Sequence, residues 1–486
     1  MNRSEDIALH ELPPLSTRHE QAAEAEAEAD RDGGGEQTST TSDARHAEAS
    51  TRRALILLGA SISQLPIWGF SMSYGVFQEY YMNHWTLGGS RDVTGIIGTT
   101  SNGVLYLSIP FLFAAFTRRW AHRRKTAAVA GAVLAAASFV LSSFSSQVWH
   151  LVATQGVLAA LGCALVYSPT TLSLGEWFTV TVGASGRNHR AVAYGVTLSC
   201  KNVVGSVMPF IARALLEKYG FRVAVRVWAA VALGTSLLSI ALIPTHPSIL
   251  VRPPAGPEQT RRRRTIPWHF LRHHTFYVYS IAIVLQSAGY GIPQSYLPTY
   301  AREVALLSQT SATLLLTVFN IPGILASSLF GYLSDDDNRY LPVSATTVTA
   351  VSALSSALAA FFLWGFASRG SLAQLLLFSV TFGFFAGGYS ATWGGVINEL
   401  EGEAARWNEA VDAGMLYGLL NGARGIGYVS GGLLSVPLLK AGGAMPIGEF
   451  GYASTYGPLI LFTGLSSVFG GWGILWKLTS SLRRLL

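Results

Sequence analysis

THPSILVRPPAGPEQTRRRRTIPWHFLRHHT, residues 245–275, is the longest polar stretch inside the apolar body of this 486-residue chain. It carries Pro247, Pro253, Pro254 and Pro257, then the run Arg261 to Arg264, then His273 and His274. Prolines end helices, and a run of arginines cannot enter hydrocarbon, so this stretch belongs in water or at a membrane surface. Near its end Trp268, Phe270 and Leu271 form an amphipathic piece suited to lying along that surface. On either side the sequence breaks into apolar segments of about 20 residues, enough to cross a ~30 Å hydrocarbon core as helices. Six precede the basic stretch, near 54–76, 93–116, 126–145, 150–172, 191–213 and 223–243. Six follow it, near 276–298, 310–333, 342–366, 372–397, 413–437 and 456–478. The third and ninth are rich in Ala, Ser and Thr and carry the weakest apolar signal. The reading is an all-α polytopic membrane protein with twelve transmembrane helices. Its expected parts are a disordered tail over 1–53, a six-helix bundle over 54–244, the basic linker 245–275, a second six-helix bundle over 276–479 and a short tail over 480–486.

Composition agrees. Only 13% of residues are charged, about half the share of a soluble domain, so most of the chain cannot face water. Fifty glycines suit helices that approach closely in lipid. The formal charge of +7 sits in short basic stretches between apolar runs, a placement that anionic lipid headgroups explain without nucleic acid. Both cysteines, Cys163 and Cys200, fall in apolar runs and read as small core side chains rather than a disulfide. The amino terminus lacks the basic start and apolar core of a cleavable signal, so the first span is expected to direct insertion. Residues 1–50, with an EAEAEAD stretch and a GGG, hold few large apolar side chains. The sole N-x-S/T sequon, at Asn2, lies there.

Lys and Arg placement sets the expected orientation. The 2–3 connection holds Arg118, Arg119, Arg123, Arg124 and Lys125, and the 6–7 connection holds Arg252, Arg261 to Arg264 and Arg272. Arg187 and Arg190 follow span 4, and Arg483 and Arg484 end the chain. Both termini are therefore expected in the cytoplasm, of a plasma-membrane protein. The 10–11 connection fits less well, being acidic through Glu399, Glu401, Glu403, Glu409 and Asp412.

Polar groups within spans are the candidate functional residues, because a cation at a helix centre costs roughly 2.5–3.5 kcal/mol. Lys201 lies near the middle of span 5, in TLSCKNVVG, and Arg424 near the middle of span 11, in LLNGARGIG. Neither has an acidic residue three or four positions away. They read as an anion-binding pair facing a central cavity, or else as side chains that pair with carbonyls or snorkel. Arg suits a carboxylate because its planar fork binds two oxygens. Asn102, Asn202, Gln286, Asn320 and Asn421 also fall at mid-span; they can contact substrate or bond a neighbouring helix. Span 1 carries the aromatic stripe Trp68, Phe70, Tyr74 and Phe77, while Tyr80, Tyr81 and Trp85 at its end read as interfacial anchors. Span 7 places Tyr290 and Gln294 among Gly289, Gly291 and Pro293, which suggests a locally broken helix near a binding site.

Enzyme constellations are missing from the sequence. There is no Walker A motif, no HExxH, no His/Cys metal spacing and no cofactor motif. His150, His269, His273 and His274 fall near span edges and read as solvated.

Six plus six spans, a basic central loop and cytoplasmic termini resemble the major facilitator superfamily. In that family the 2–3 loop carries a Gly, an Asp-Arg and a basic cluster. Here FTRRWAHRRK keeps only the basic end, Arg123 to Lys125, whereas GYLSDDDNR in the 8–9 loop keeps Gly331 and Asp335. Within the superfamily the chain resembles the fungal branch of the monocarboxylate porter family over about residues 54–480. The similarity is carried by SYGVFQEYY (Ser73 to Tyr81), GCALVYSP and EWF (Glu176 to Phe178) around span 4, RAVAYGVTLS from Arg190, and GFR at Gly220 to Arg222. Span 8 keeps Asn320 and Gly323 but has Ile324 where relatives often carry Arg, and it lacks the Asp of animal relatives. Lys201 stands where a small residue is more usual. The resemblance implies a secondary transporter working by alternating access, not an enzyme. Arg424 and Lys201 point to an organic anion or carboxylate-bearing metabolite, and the departures make efflux of a secondary metabolite the preferred variant. Uptake of a monocarboxylate or vitamin is the alternative, and a transporter-like nutrient sensor a further one. The expected partners are a small anionic substrate and the lipid bilayer, with no nucleic acid; the sequence leaves the oligomeric state open, a monomer being compatible with it.

Overall fold

The computed structural model describes residues 50–84, 87–89, 93–117, 120–179, 190–244, 268–334, 343–409, 411–444, 448, 450–477 and 479. The expected tail before residue 50, Trp85, Arg118, Arg119, Arg187, Arg261 to Arg264, Asp335, Arg483 and Arg484 fall outside them.

Ten helices among the described residues are long and apolar enough to cross a membrane. They account for eleven expected spans, because one of them, Ala193–Leu242, is a pair. Spans 1 to 4 run through Gln64–Asn83, Thr94–Thr117, Arg124–Ser142 and Ala159–Thr179. Spans 5 and 6 lie in the single helical stretch Arg190–Leu242, broken only at Gly220. Gly220 has φ 72° and ψ 172°, a backbone region that is essentially glycine's alone. The chain reverses there. Gly205 meets Met72 before the break, while Trp228 and Ser239 meet Gly69 and Gly59 after it. Spans 7 and 8 are His274–Glu303 and Gln309–Leu333; span 9 begins with Ala345–Leu358, and span 12 contains Gly457–Gly470. The remaining span, 11, is the helix Ala413–Gly443. It is long enough to cross, but its many glycines with Asn421 and Arg424 dilute its apolar character.

The sequence expectations for span 7 and for Tyr81 are corrected. Span 7 is one continuous helix of 30 residues despite Pro293 and Pro298. Its glycines serve close packing: a Cβ at Gly289 would overlap Ser466, and one at Gly291 would come 2.8 Å from Tyr428. The interruption falls in span 10, where Leu372–Gly388 passes through a 3₁₀ turn, Tyr389–Thr392, into Trp393–Arg406. Tyr81 is not an interfacial anchor either. It is buried and its hydroxyl donates to Gln155 Oε1 at 2.9 Å.

Spans 2 and 11 pack antiparallel along a seam of small residues. A Cβ at Gly425 would lie 2.6 Å from Leu107 N, and one at Gly422 would lie 2.9 Å from Pro110 Cγ. Spans 5 and 8 pack antiparallel through Gly205 against Asn320 and Gly323 against Asn202. The acidic 10–11 region, which sat poorly with the charge pattern, is largely paired. His273 Nε2 lies 3.2 Å from Glu409 Oε2, and its Nδ1 lies 3.6 Å from Glu403 Oε2, so His273 is not simply solvated. Lys477 Nζ lies 3.5 Å from Glu399 Oε1. Asp412 caps span 11 by accepting from Met415 N at 3.1 Å. Arg124, counted among loop cations in the sequence, turns inward and holds Glu176 with two hydrogen bonds of 2.7 and 2.9 Å.

Candidate functional site

A narrow cavity lies between spans 1, 2, 4, 5, 10 and 11. Its lining comes from the halves of these spans nearest the 2–3, 4–5 and 10–11 connections. Span 1 contributes Gln64 and Trp68, span 4 Tyr167, Thr170 and Thr171, span 5 Tyr194, Thr197 and Lys201. Span 2 contributes Tyr106, span 10 Ser390 and Trp393, span 11 Tyr417, Asn421 and Arg424.

The two cations meet on one tyrosine. Lys201 Nζ donates to Tyr106 Oη at 3.3 Å and sits 4.0 Å from the centre of the Trp68 ring. The Arg424 guanidinium lies 5.1 Å from the Tyr106 ring centre and 5.3 Å from that of Tyr290. Trp393 and Tyr428 each stand at 5.7 Å. Ring faces attract cations, and they do so most where water is excluded. Aromatic faces, however, offer the guanidinium no hydrogen-bond acceptor in the plane of its N–H groups. Arg424 Nε is buried without a hydrogen-bond partner, and neither cation is in an ion pair among the described residues. A buried guanidinium and a half-buried amine, with aromatic neighbours and no carboxylate among the described residues, leave the site electrostatically ready for an anion.

The local sequence explains how Arg424 reaches this place. Gly422, Gly425 and Gly427 flank it in span 11 and let the backbones of spans 2 and 7 approach. The long arginine side chain then lies among the rings of Tyr106, Tyr290, Trp393 and Tyr428. Trp393 is delivered by the 3₁₀ turn in span 10, which starts a fresh helix at that residue.

Of the residues singled out in the sequence, the structure brings Lys201, Arg424, Trp68 and Asn421 to the cavity wall, with Tyr290 behind Arg424. The others lie elsewhere, in helix packing. Asn202 Nδ2 donates to Ser327 Oγ at 3.1 Å. Asn320 Nδ2 donates to Gly205 O at 3.2 Å and Leu316 O at 2.9 Å. Asn102 Nδ2 bonds Gly98 O of its own helix at 3.3 Å. Tyr74 donates its hydroxyl to Thr94 O, tying span 1 to span 2. Gln286 packs against Gly470. Apart from Asn102, which turns back on its own helix, these are polar groups whose bonding or packing is met by a neighbouring helix, the common use of such residues in lipid. Sequence reasoning passed over Tyr106, Tyr167, Trp393 and Tyr417. The one signal available was at Tyr106, which stands mid-span where interfacial anchoring cannot explain it; Trp393 and Tyr417 fall within a turn or so of a span end and gave none.

A second charged group lies toward the other end of the helices. Glu79 of span 1 and Arg213 of span 5 are buried and joined at 2.7 Å, and Arg302 of span 7 approaches Glu79 at 3.9 Å. No local sequence pattern points to this pairing.

The family model of the Major Facilitator Superfamily matches residues 56–432. An MFS-type transporter pynF of Aspergillus niger is 24% identical over 81% of this chain and 83% of that protein. The Aspyridones efflux protein apdF of Emericella nidulans is 24% identical over 70% of this chain and 63% of that protein. Monocarboxylate transporter 12-B of Danio rerio is 26% identical over 55% of this chain and 58% of that protein. These relatives are named as transport proteins, in line with the expectation that the chain is not an enzyme. With a family match that runs from the first span into the eleventh, the chain belongs to the Major Facilitator Superfamily and is a multi-pass membrane transporter.

Proposed function

We propose that this transporter carries an organic anion by alternating access, with Lys201 and Arg424 as the charges that hold it. The observation that carries this reading is the shared cavity wall: the buried Arg424 guanidinium and the half-buried Lys201 amine meet on Tyr106, with no carboxylate paired to either among the described residues. A buried cation is costly in a membrane protein and is retained where it meets a partner. An anionic substrate is that partner. Asn421 and the hydroxyls of Thr170, Thr171 and Ser390 supply neutral polar contacts around it.

Efflux of a secondary metabolite is the preferred direction and cargo class. The likeness to a protein named for aspyridone efflux supports it. So does Ile324, an apolar residue at the span 8 position where monocarboxylate porters often carry Arg. Uptake of a monocarboxylate is the second reading, favoured by the likeness to monocarboxylate transporter 12-B. The positive 2–3 and 6–7 connections support cytoplasmic termini in the plasma membrane. Counterflow of radiolabelled organic acids in proteoliposomes tests the anion site. Arg424→Ala should lower apparent affinity about tenfold to a hundredfold, the worth of a charge-assisted hydrogen bond. Unchanged anion transport at an unchanged protein level refutes the assignment.

A further inference from the structure

Trp68 and Trp393 face the same cavity from span 1 and span 10. Both are nearly fully buried, at 3% and 2% exposure, and the indole Nε1 of each has no hydrogen-bond partner. An indole N–H only donates, as do lysine and arginine. Buried tryptophans usually find an acceptor, and leaving such a donor unmet costs on the order of 1–3 kcal/mol. The cavity therefore gathers four donor-only side chains, Lys201, Arg424, Trp68 and Trp393, from four different spans. Its further walls are the rings of Tyr106, Tyr167, Tyr194 and Tyr417.

We propose that Trp68 and Trp393 set the substrate class: a planar, conjugated acid with two separated acceptor groups, stacked among the rings and bridging span 1 to span 10. This rests on the anion reading above and narrows it. The anionic group meets Arg424 and Lys201, a second carbonyl or hydroxyl-derived oxygen meets an indole N–H, and the flat ring system lies on aromatic faces. Stacked aromatic pairs gain about 0.5–1.5 kcal/mol beyond the area they bury, which a saturated ring forgoes.

The test uses the full-length protein in nanodiscs and four probes: 3-hydroxy-2-naphthoate, 2-naphthoate, decahydro-2-naphthoate and 3-hydroxy-2-naphthamide. Binding is read by calorimetry or scintillation proximity. The expected order is hydroxynaphthoate, then naphthoate, then the saturated acid, with about two- to tenfold between neighbours. Trp68→Phe and Trp393→Phe keep a ring but remove the donor. At least one of them should abolish the preference of hydroxynaphthoate over naphthoate, read as the ratio of the two affinities within each variant. If the saturated acid binds as tightly as naphthoate and both Trp variants keep the wild-type order, the class assignment is overturned while the anion site stands. If the uncharged amide binds as tightly as the acid, the anion reading fails instead. Retention of bound detergent or lipid in the cavity is controlled by Arg424→Gln, which should weaken the acids and spare the amide.

Discussion

Replacing Glu79 by Gln removes one charge from the most buried ion pair in the described part of the molecule. The Glu79 side chain is 2% exposed and that of Arg213 8%, with Oε2 and Nη2 2.7 Å apart. At an effective dielectric of about 20, unit charges ~4 Å apart attract by about 4 kcal/mol. Arg213 Nε has no hydrogen-bond partner. Its other carboxylate contact, Glu217 at 3.1 Å, is half exposed and contributes little. Glu79→Gln therefore strands a buried guanidinium, and stability should fall by about 3–5 kcal/mol. Replacing both partners, Glu79→Gln with Arg213→Met, removes the stranded charge and should recover most of the loss. The assay is a double-mutant cycle by reversible SDS titration or thermal unfolding in detergent. A Glu79→Gln single variant within 1 kcal/mol of wild type, on the scale expected for an exposed pair, would refute the reasoning, as would strictly additive effects in the cycle. Arg302 belongs to span 7, so its contact with Glu79 ties an early span to a late one. On the alternating-access proposal, this contact separates when that end opens, whereas the Glu79–Arg213 pair travels as a unit within the first six spans.

Tyr106→Phe deletes the oxygen that Lys201 bonds at 3.3 Å but keeps the ring beside Arg424; anion affinity should weaken about two- to tenfold in counterflow, and Tyr106→Leu should weaken it further. Gly425→Ala drives a Cβ to 2.6 Å from the backbone N of Leu107, so thermal unfolding should register a loss of about 1–3 kcal/mol. Gly234→Ala, with open space around it, should be neutral or stabilising by about 0.5–1 kcal/mol in the same assay. Gly220→Ala meets no steric neighbour yet should cost about 1–3 kcal/mol through its backbone conformation alone.

Much of the helical framework was legible because membrane thickness imposes a length on each apolar segment. Even the weakly apolar third and ninth spans form helices. Span 7 was misread because the same glycines and prolines signal both a broken helix and a tightly packed one. Which of the two applies depends on neighbours such as Ser466 and Tyr428, far away in sequence. Lys201 and Arg424 stood out because charge in hydrocarbon is rare and costly. The mid-span amides did not sort themselves in the same way. An asparagine that bonds a neighbouring helix, like Asn320 with Gly205, has the same sequence signature as Asn421 on the cavity wall. Tyr106 and Trp393 were passed over because an aromatic within a span usually fills space. The Glu79–Arg213 pair joins residues 134 positions apart, and no local pattern links them.

The turn at Gly220 has a practical consequence for mapping the chain across its membrane. Spans 5 and 6 reverse there with no loop between them, so nothing projects for an antibody, a protease or a glycosyltransferase to find. An epitope or acceptor site inserted at that junction would pry apart a helical hairpin and report on damage, not on sidedness. Reporter insertions belong at connections that already leave the helices, such as 143–147 or 304–308. Both join the ends of spans expected to lie on the same face as residue 220, and so can stand in for it.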